Sequence, residues 1–107
     1  MSGDEMLLEL FPTLMPIDMI FKSTDEGEII PVRFRVHGKD ENSVCNVTGY
    51  RLITPKGEYT TPDGVYLGQD LLYYDVSFCT EYGQIHRSFM YYDKTETRWL
   101  ISRKAGS

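Results

Sequence analysis

Residues 72–93 read LYYDVSFCTEYGQIHRSFMYYD, and their alternation decides the fold class. On either side of Gly83-Gln84, apolar and polar side chains trade places at every second position, the period of a β-strand. Aromatic and β-branched residues are concentrated in both arms, as strands favour. With Gly83 at the first central position, the linker reads as a two-residue type II′ turn. That register sets Tyr82 opposite Ile85, Phe78 opposite Phe89 and Val76 opposite Tyr91 on one face. The other face pairs Glu81 with His86, Cys79 with Ser88, Ser77 with Met90 and Asp75 with Tyr92.

A second hairpin is read over residues 17–36. Ile17, Met19 and Phe21 alternate with Asp18, Ile20 and Lys22, and after Thr24-Asp25-Glu26-Gly27, Ile30, Val32, Phe34 and Val36 alternate with Pro31, Arg33, Arg35 and His37. A four-residue loop at 24–27 sets Phe21 against Ile30, Met19 against Val32 and Ile17 against Phe34. The same register places Asp18 across from Arg33, so apolar meets apolar and acid meets base. Pro31 has no N–H to give a ladder, which predicts an unpaired edge or a bulge there.

Between the hairpins, a third strand runs from Val44 to about Thr54. Cys45 and Val47 continue its core face until Gly49, where a bulge hands the apolar phase to Tyr50 and Leu52. Residues 55–70 are rich in turn formers, with Pro55-Lys56-Gly57 and Pro62-Asp63-Gly64 as turns and a short strand at Val65–Leu67. Arg98 to Ser102 forms a closing strand. The expected fold is all-β: a small antiparallel barrel or rolled sheet of five or six strands, residues 17–103, with a frayed tail at 104–107. Residues 1–16 read as an N-terminal arm. Met6, Leu7, Leu10 and Phe11 suit a short helix, and Pro12 and Pro16 confine the rest to an extended path.

The chain has 107 residues, enough for one domain. No apolar run approaches the ~20 residues of a membrane-spanning helix. Asp4 and Glu5 stand where a secretory leader carries positive charge, so the expected location is the cytoplasm. Cys45 and Cys79 are too few for a disulfide scaffold and have no CxxC spacing. With His37 and His86 a zinc site would have to be assembled across distant strands, and two ordinary thiols in a reducing cytosol are the expected reading. Neither a metal nor a cofactor is expected. The net charge of −5 is uneven: residues 1–31 sum to −6 and residues 32–107 to +1. A net-acidic chain is a poor general partner for phosphate backbones.

No GxSxG, phosphate loop, HExxH or EF-hand pattern is present. His86 with Glu81 or Cys79 is the one arrangement that could support a small hydrolase. An exposed cross-strand ion pair accounts for it as simply. Arg33, Arg35 and His37 share an outer strand face that Arg51 would join past the Gly49 bulge, a candidate surface for single-stranded nucleic acid. That face lacks interleaved aromatics. Tyr73, Met90 and Tyr92 form a half-apolar outer face on the second hairpin, of the kind usually covered by something. The arm, another subunit or a separate protein would cover it. The sequence therefore points to a non-catalytic protein-binding or adaptor module, with self-association as a homodimer through the arm. Nucleic-acid binding stands second and a hydrolase third.

Overall fold

A sheet of alternating side chains can bury its apolar face by curling upon itself, and this sheet curls until it closes. Six strands form it: β1 (Leu14–Ser23), β2 (Ile29–Val36), β3 (Cys45–Ile53), β4 (Leu71–Cys79), β5 (Ile85–Asp93) and β6 (Arg98–Ser102). The computed structural model describes residues 14–36 and 43–103. Each strand pairs antiparallel with the next, and β1 returns to β6 through Leu14–Ser102 to Ile17–Trp99, closing a barrel in chain order. The small antiparallel barrel expected from the sequence is what the chain forms. Among the described residues, no helix is long and apolar enough to cross a membrane.

The barrel starts earlier than the reading placed it. Leu14 is fully buried and paired with Ser102, so residues 14–16, assigned above to the arm, belong to β1. The rest of the arm (residues 1–13), His37 and the 104–107 tail lie outside the described residues.

Two apolar layers hold the fold. Inside the barrel, all six strands contribute, with Ile17, Phe34, Tyr74, Val76, Met90, Tyr92, Trp99 and Ile101 at the centre and Cys45 and Val47 of β3 beside them. Outside it, Leu14, Tyr73, Tyr91 and Leu100 make a second layer under Val65. Val65 belongs to a small hairpin over residues 59–67. Its backbone bonds run from Leu67 N–H to Tyr59 O at 3.0 Å and from Thr61 N–H to Val65 O at 2.9 Å, around a Thr60–Tyr66 bridge. The turn at Pro62-Asp63-Gly64 and the strand residue Val65 were legible; their folding back onto the sheet was not.

The second hairpin departs from the expected register. Ile85 lies opposite Cys79, not Tyr82, and Phe78 opposite His86, not Phe89. Thr80 is the cause. Its N–H donates to Gln84 O, its C=O accepts from Gly83 N–H, and its Oγ1 accepts from Gln84 N–H at 3.2 Å. These bonds build a five-residue loop, with Gly83 at φ +81° as the bulge residue rather than the start of a type II′ turn. The register moves by three residues, an odd number, so every β5 side chain changes face.

The first hairpin uses the same loop, Thr24 to Glu28, and slides by two at its far end: Asp18 faces Arg35 instead of Arg33, and Met19 faces Phe34. The slip between Ile20 and Phe21 leaves Val32 as the extra residue beside Pro31, the bulge that proline predicted. Ile29 replaces Ile30 and Val32 on the inner face. The Gly49 bulge is present too, with Thr48 as the extra residue between the Val47–Phe78 and Gly49–Ser77 pairs.

Candidate functional site

Pro31, Val32 and Thr48 together open one end of the barrel. Pro31 cannot donate to β3, and the two bulges throw the facing strands out of step. The β2–β3 ladder accordingly pairs Phe34 with Cys45 and Arg33 with Asn46, then stops. Beyond it, the 24–28 turn and residues 50–52 of β3 part around a cavity of about 380 Å³. That volume lies in the range of small-ligand pockets.

Aliphatic Ile29, Leu52 and Leu72 and the rings of Tyr50, Tyr74 and Tyr92 form its walls, with Glu28 and Lys94 at the rim. Tyr50 and Tyr74 meet at a tilt of 54° with centroids 6.3 Å apart. Beneath them, Trp99 packs against Tyr74 at 5.2 Å and Tyr92 at 5.1 Å, and Phe21 touches Tyr92 at 5.4 Å. The Trp99 Nε1–H is buried with no hydrogen-bond partner among the described residues. The floor of the cavity is thus a layer of interlocked rings.

Two phenols tie the mouth together. Tyr74 donates to the carbonyl of Ile29 at 2.8 Å, and Tyr50 donates to Glu28 Oε1 at 2.9 Å. Burial pushes Tyr74 up to about 12, so it stays neutral at physiological pH. The bond to Glu28 holds Tyr50 above its ordinary value. A second hollow of about 340 Å³, lined by Pro55, Tyr66 and Tyr73 among others, adjoins the first at Leu52 and Leu72.

The residues singled out from the sequence fare differently. Tyr73, Met90 and Tyr92 do not share an outer face. The flip of β5 sends Met90 and Tyr92 into the barrel, while Tyr73 lies outside under the 59–67 hairpin. All three are buried, Met90 and Tyr92 by the barrel interior and Tyr73 by the 59–67 hairpin. Of the three, Tyr92 reaches the cavity wall.

Arg33 and Arg35 do share the outside of β2, but the Arg35 guanidinium is bound to Asp18 at 3.2 Å. Arg51 leans the other way, toward Asp75 on β4 at 3.5 Å, and Asp75 also takes the fork of Arg87. The three arginines do not pool their charge on one face. His86 is exposed, 3.4 Å from Gln84 Oε1, with its ring against Phe78. The corrected register separates it from both expected helpers: Cys79 points to the other face and Glu81 sits in the loop. Among the described residues, no three His, Cys, Asp or Glu side chains gather as a metal site.

Tyr50, Leu52, Tyr74 and Glu28 went unnoticed as a site because each has an ordinary place in its strand or turn. The available signal was the alternation continuing through Tyr50 and Leu52 to the barrel's open end, which leaves both side chains more than a third exposed. Comparison with known proteins finds no family model that matches the chain, no matching curated protein and no matching solved structure.

Proposed function

We propose that this protein is a non-catalytic binding module, an adaptor that takes an extended segment of a partner protein into the cavity at the barrel mouth. The carrying observation is the exposure of Tyr50 and Leu52 over a fixed floor of aromatic rings. Large apolar side chains held open to water beside a preformed cavity are characteristic of contact sites. The parting of β2 from β3 adds support, because an extended backbone can lie along a strand whose ladder has ended. Nucleic-acid binding through Arg33, Arg35 and Arg51 is weaker, since Asp18 and Asp75 already hold two of the three. A hydrolase built on His86 is weaker still, because Glu81 and Cys79 both lie away from its ring.

We place the module in the cytoplasm on its two free cysteines, Cys45 and Cys79. Self-association through residues 1–13 is a further contact it could make, read out as a mass by light scattering. The central test is a nuclear magnetic resonance titration of the full chain against an array of short blocked peptides. Binding should move the amides of Glu28, Ile29, Tyr50 and Leu52, and Leu52→Asp should abolish it while leaving the melting temperature within a few degrees. An array that moves no amide at the mouth overturns the proposal.

A further inference from the structure

We infer that the side chain taken into the mouth cavity is an arginine, supplied by a basic segment of the partner protein. The inference rests on the binding-module reading above and specifies its anchor. Tyr50 and Tyr74 have committed their hydroxyls to Glu28 and to the Ile29 carbonyl. Of the two, Tyr50 is the exposed one, with Tyr74 buried behind it, so it is the Tyr50 ring, with the negative lobe of its π-system, that is available to a cation. Tyr92 adds a third ring to the same wall.

Glu28 supplies the matching charge. The bond from Tyr50 fixes Oε1 at the rim, and Oε2 accepts no other bond among the described residues. A neutral apolar side chain would fill the walls but strip water from that carboxylate without replacing its hydrogen bonds, which is costly. A guanidinium satisfies both features at once. Its flat face stacks on a tyrosine ring while its N–H edge pairs with a carboxylate. A lysine ammonium holds its water more tightly and has no flat face to stack, so it fits less well.

The surrounding charge agrees. The turn that forms one lip, residues 24–28, carries Asp25, Glu26 and Glu28 within five positions. Lys94, which is exposed, lines the same cavity. Its positive charge repels an incoming guanidinium, so its removal should tighten binding instead of weakening it.

The test uses the full chain and three blocked pentapeptides, Ac-Thr-Val-Xaa-Val-Thr-NH2, in which Xaa is arginine, its neutral isostere citrulline, or leucine. The arginine peptide should move the amides of Glu28, Ile29, Tyr50 and Leu52 and bind about tenfold more tightly than the citrulline peptide. Glu28→Gln should erase that difference, and Lys94→Gln should widen it. Equal affinity for arginine and citrulline, or a preference for leucine, overturns the inference and leaves the binding-module reading standing. If none of the three peptides moves a mouth amide while other peptides in the array do, the inference fails alone. If no peptide of any kind does, both fail.

Discussion

Tyr50 donates its phenol proton to Glu28 Oε1 at 2.9 Å, linking β3 to the β1–β2 turn where the two backbones have already separated. The link spans a seam and lies in solvent, so its effect is on local geometry more than on global stability. Its signature is in the titration of Tyr50, which the bond to Glu28 holds above the ordinary tyrosine value. Glu28→Gln should bring that titration back toward normal. Tyr50→Phe should speed hydrogen exchange at Glu28 and Ile29 with little change in melting temperature. Unchanged Tyr50 titration in Glu28→Gln would show that the bond does not persist in solution.

Thr80 decides the register of the second hairpin, and the same device recurs. Thr24, Thr61 and Thr80 each stand three residues before a glycine of positive φ and accept, through Oγ1, the N–H of the residue after that glycine. Thr80→Val keeps the shape but removes the acceptor, leaving Gln84 N–H to water. A loss of about 0.5–1.5 kcal/mol is expected, the net worth of one hydrogen bond. Gly83→Ala forces a Cβ into the left-handed region at φ +81° and should cost about 1 kcal/mol. Urea melts of the two single variants and the double variant check both figures.

Those turns mark where the sequence was legible and where it was not. Alternation alone gave the strands, the closing segment Arg98 to Ser102 and the bulges at Pro31 and Gly49, because pleat and proline chemistry are local. Register depends on loop hydrogen bonds, and a glycine at 83 suits either of two loops. The threonine three residues earlier was the deciding signal. Placing Gly83 in the shorter loop turned Met90 and Tyr92 outward and invented an apolar face. The mouth cavity was hidden for a different reason: it exists only because β2 and β3 part, a relation between residues some twenty positions apart.

Asp75 sits between Arg87 and Arg51 across three strands on the outside of the barrel. The hydrogen bonds of Arg87, chiefly, hold its carboxyl below the usual carboxylate range. A depressed folded-state pKa binds fewer protons than the unfolded chain, so the stabilisation is present above pH ~4 and is lost as pH falls through the folded value. Asp75→Asn should cost about 0.5–1 kcal/mol at pH 7, modest because both guanidiniums reach water. The gap between parent and variant should close as pH falls through the folded value. Urea midpoints measured from pH 2 to pH 7 would test this, and a constant gap across that range would refute it.

Tyr91 is fully buried under the 59–67 hairpin, and the proton count there fixes the direction of each bond. Its hydroxyl lies 2.7 Å from Asp63 Oδ2 and 2.8 Å from Thr61 Oγ1, but it has one proton to give. The carboxylate takes that proton, so Thr61 donates to Tyr91, and Val65 N–H donates to Thr61. Ser102 donates to the other oxygen of Asp63 at 2.7 Å, joining the hairpin to β6. Tyr91→Phe leaves Thr61 and Asp63 each short of a partner in a buried place, a loss of about 1–3 kcal/mol. Protection from hydrogen exchange at Val65 should fall before the barrel strands respond, because the hairpin is what the network holds down. Alkali probes the same layer. Burial raises Tyr91 above the ordinary tyrosine value and pushes Tyr73 up to about 12. Both phenols keep protons in the fold that the unfolded chain gives up near pH 10, so their stabilisation is complete below pH 10 and declines as pH rises toward 12. Phenolate absorbance followed with urea midpoints from pH 9 to pH 12 should show that decline in the parent and a shallower one in Tyr91→Phe. Equal slopes would mean that Tyr91 ionises without cost and that the network is not closed.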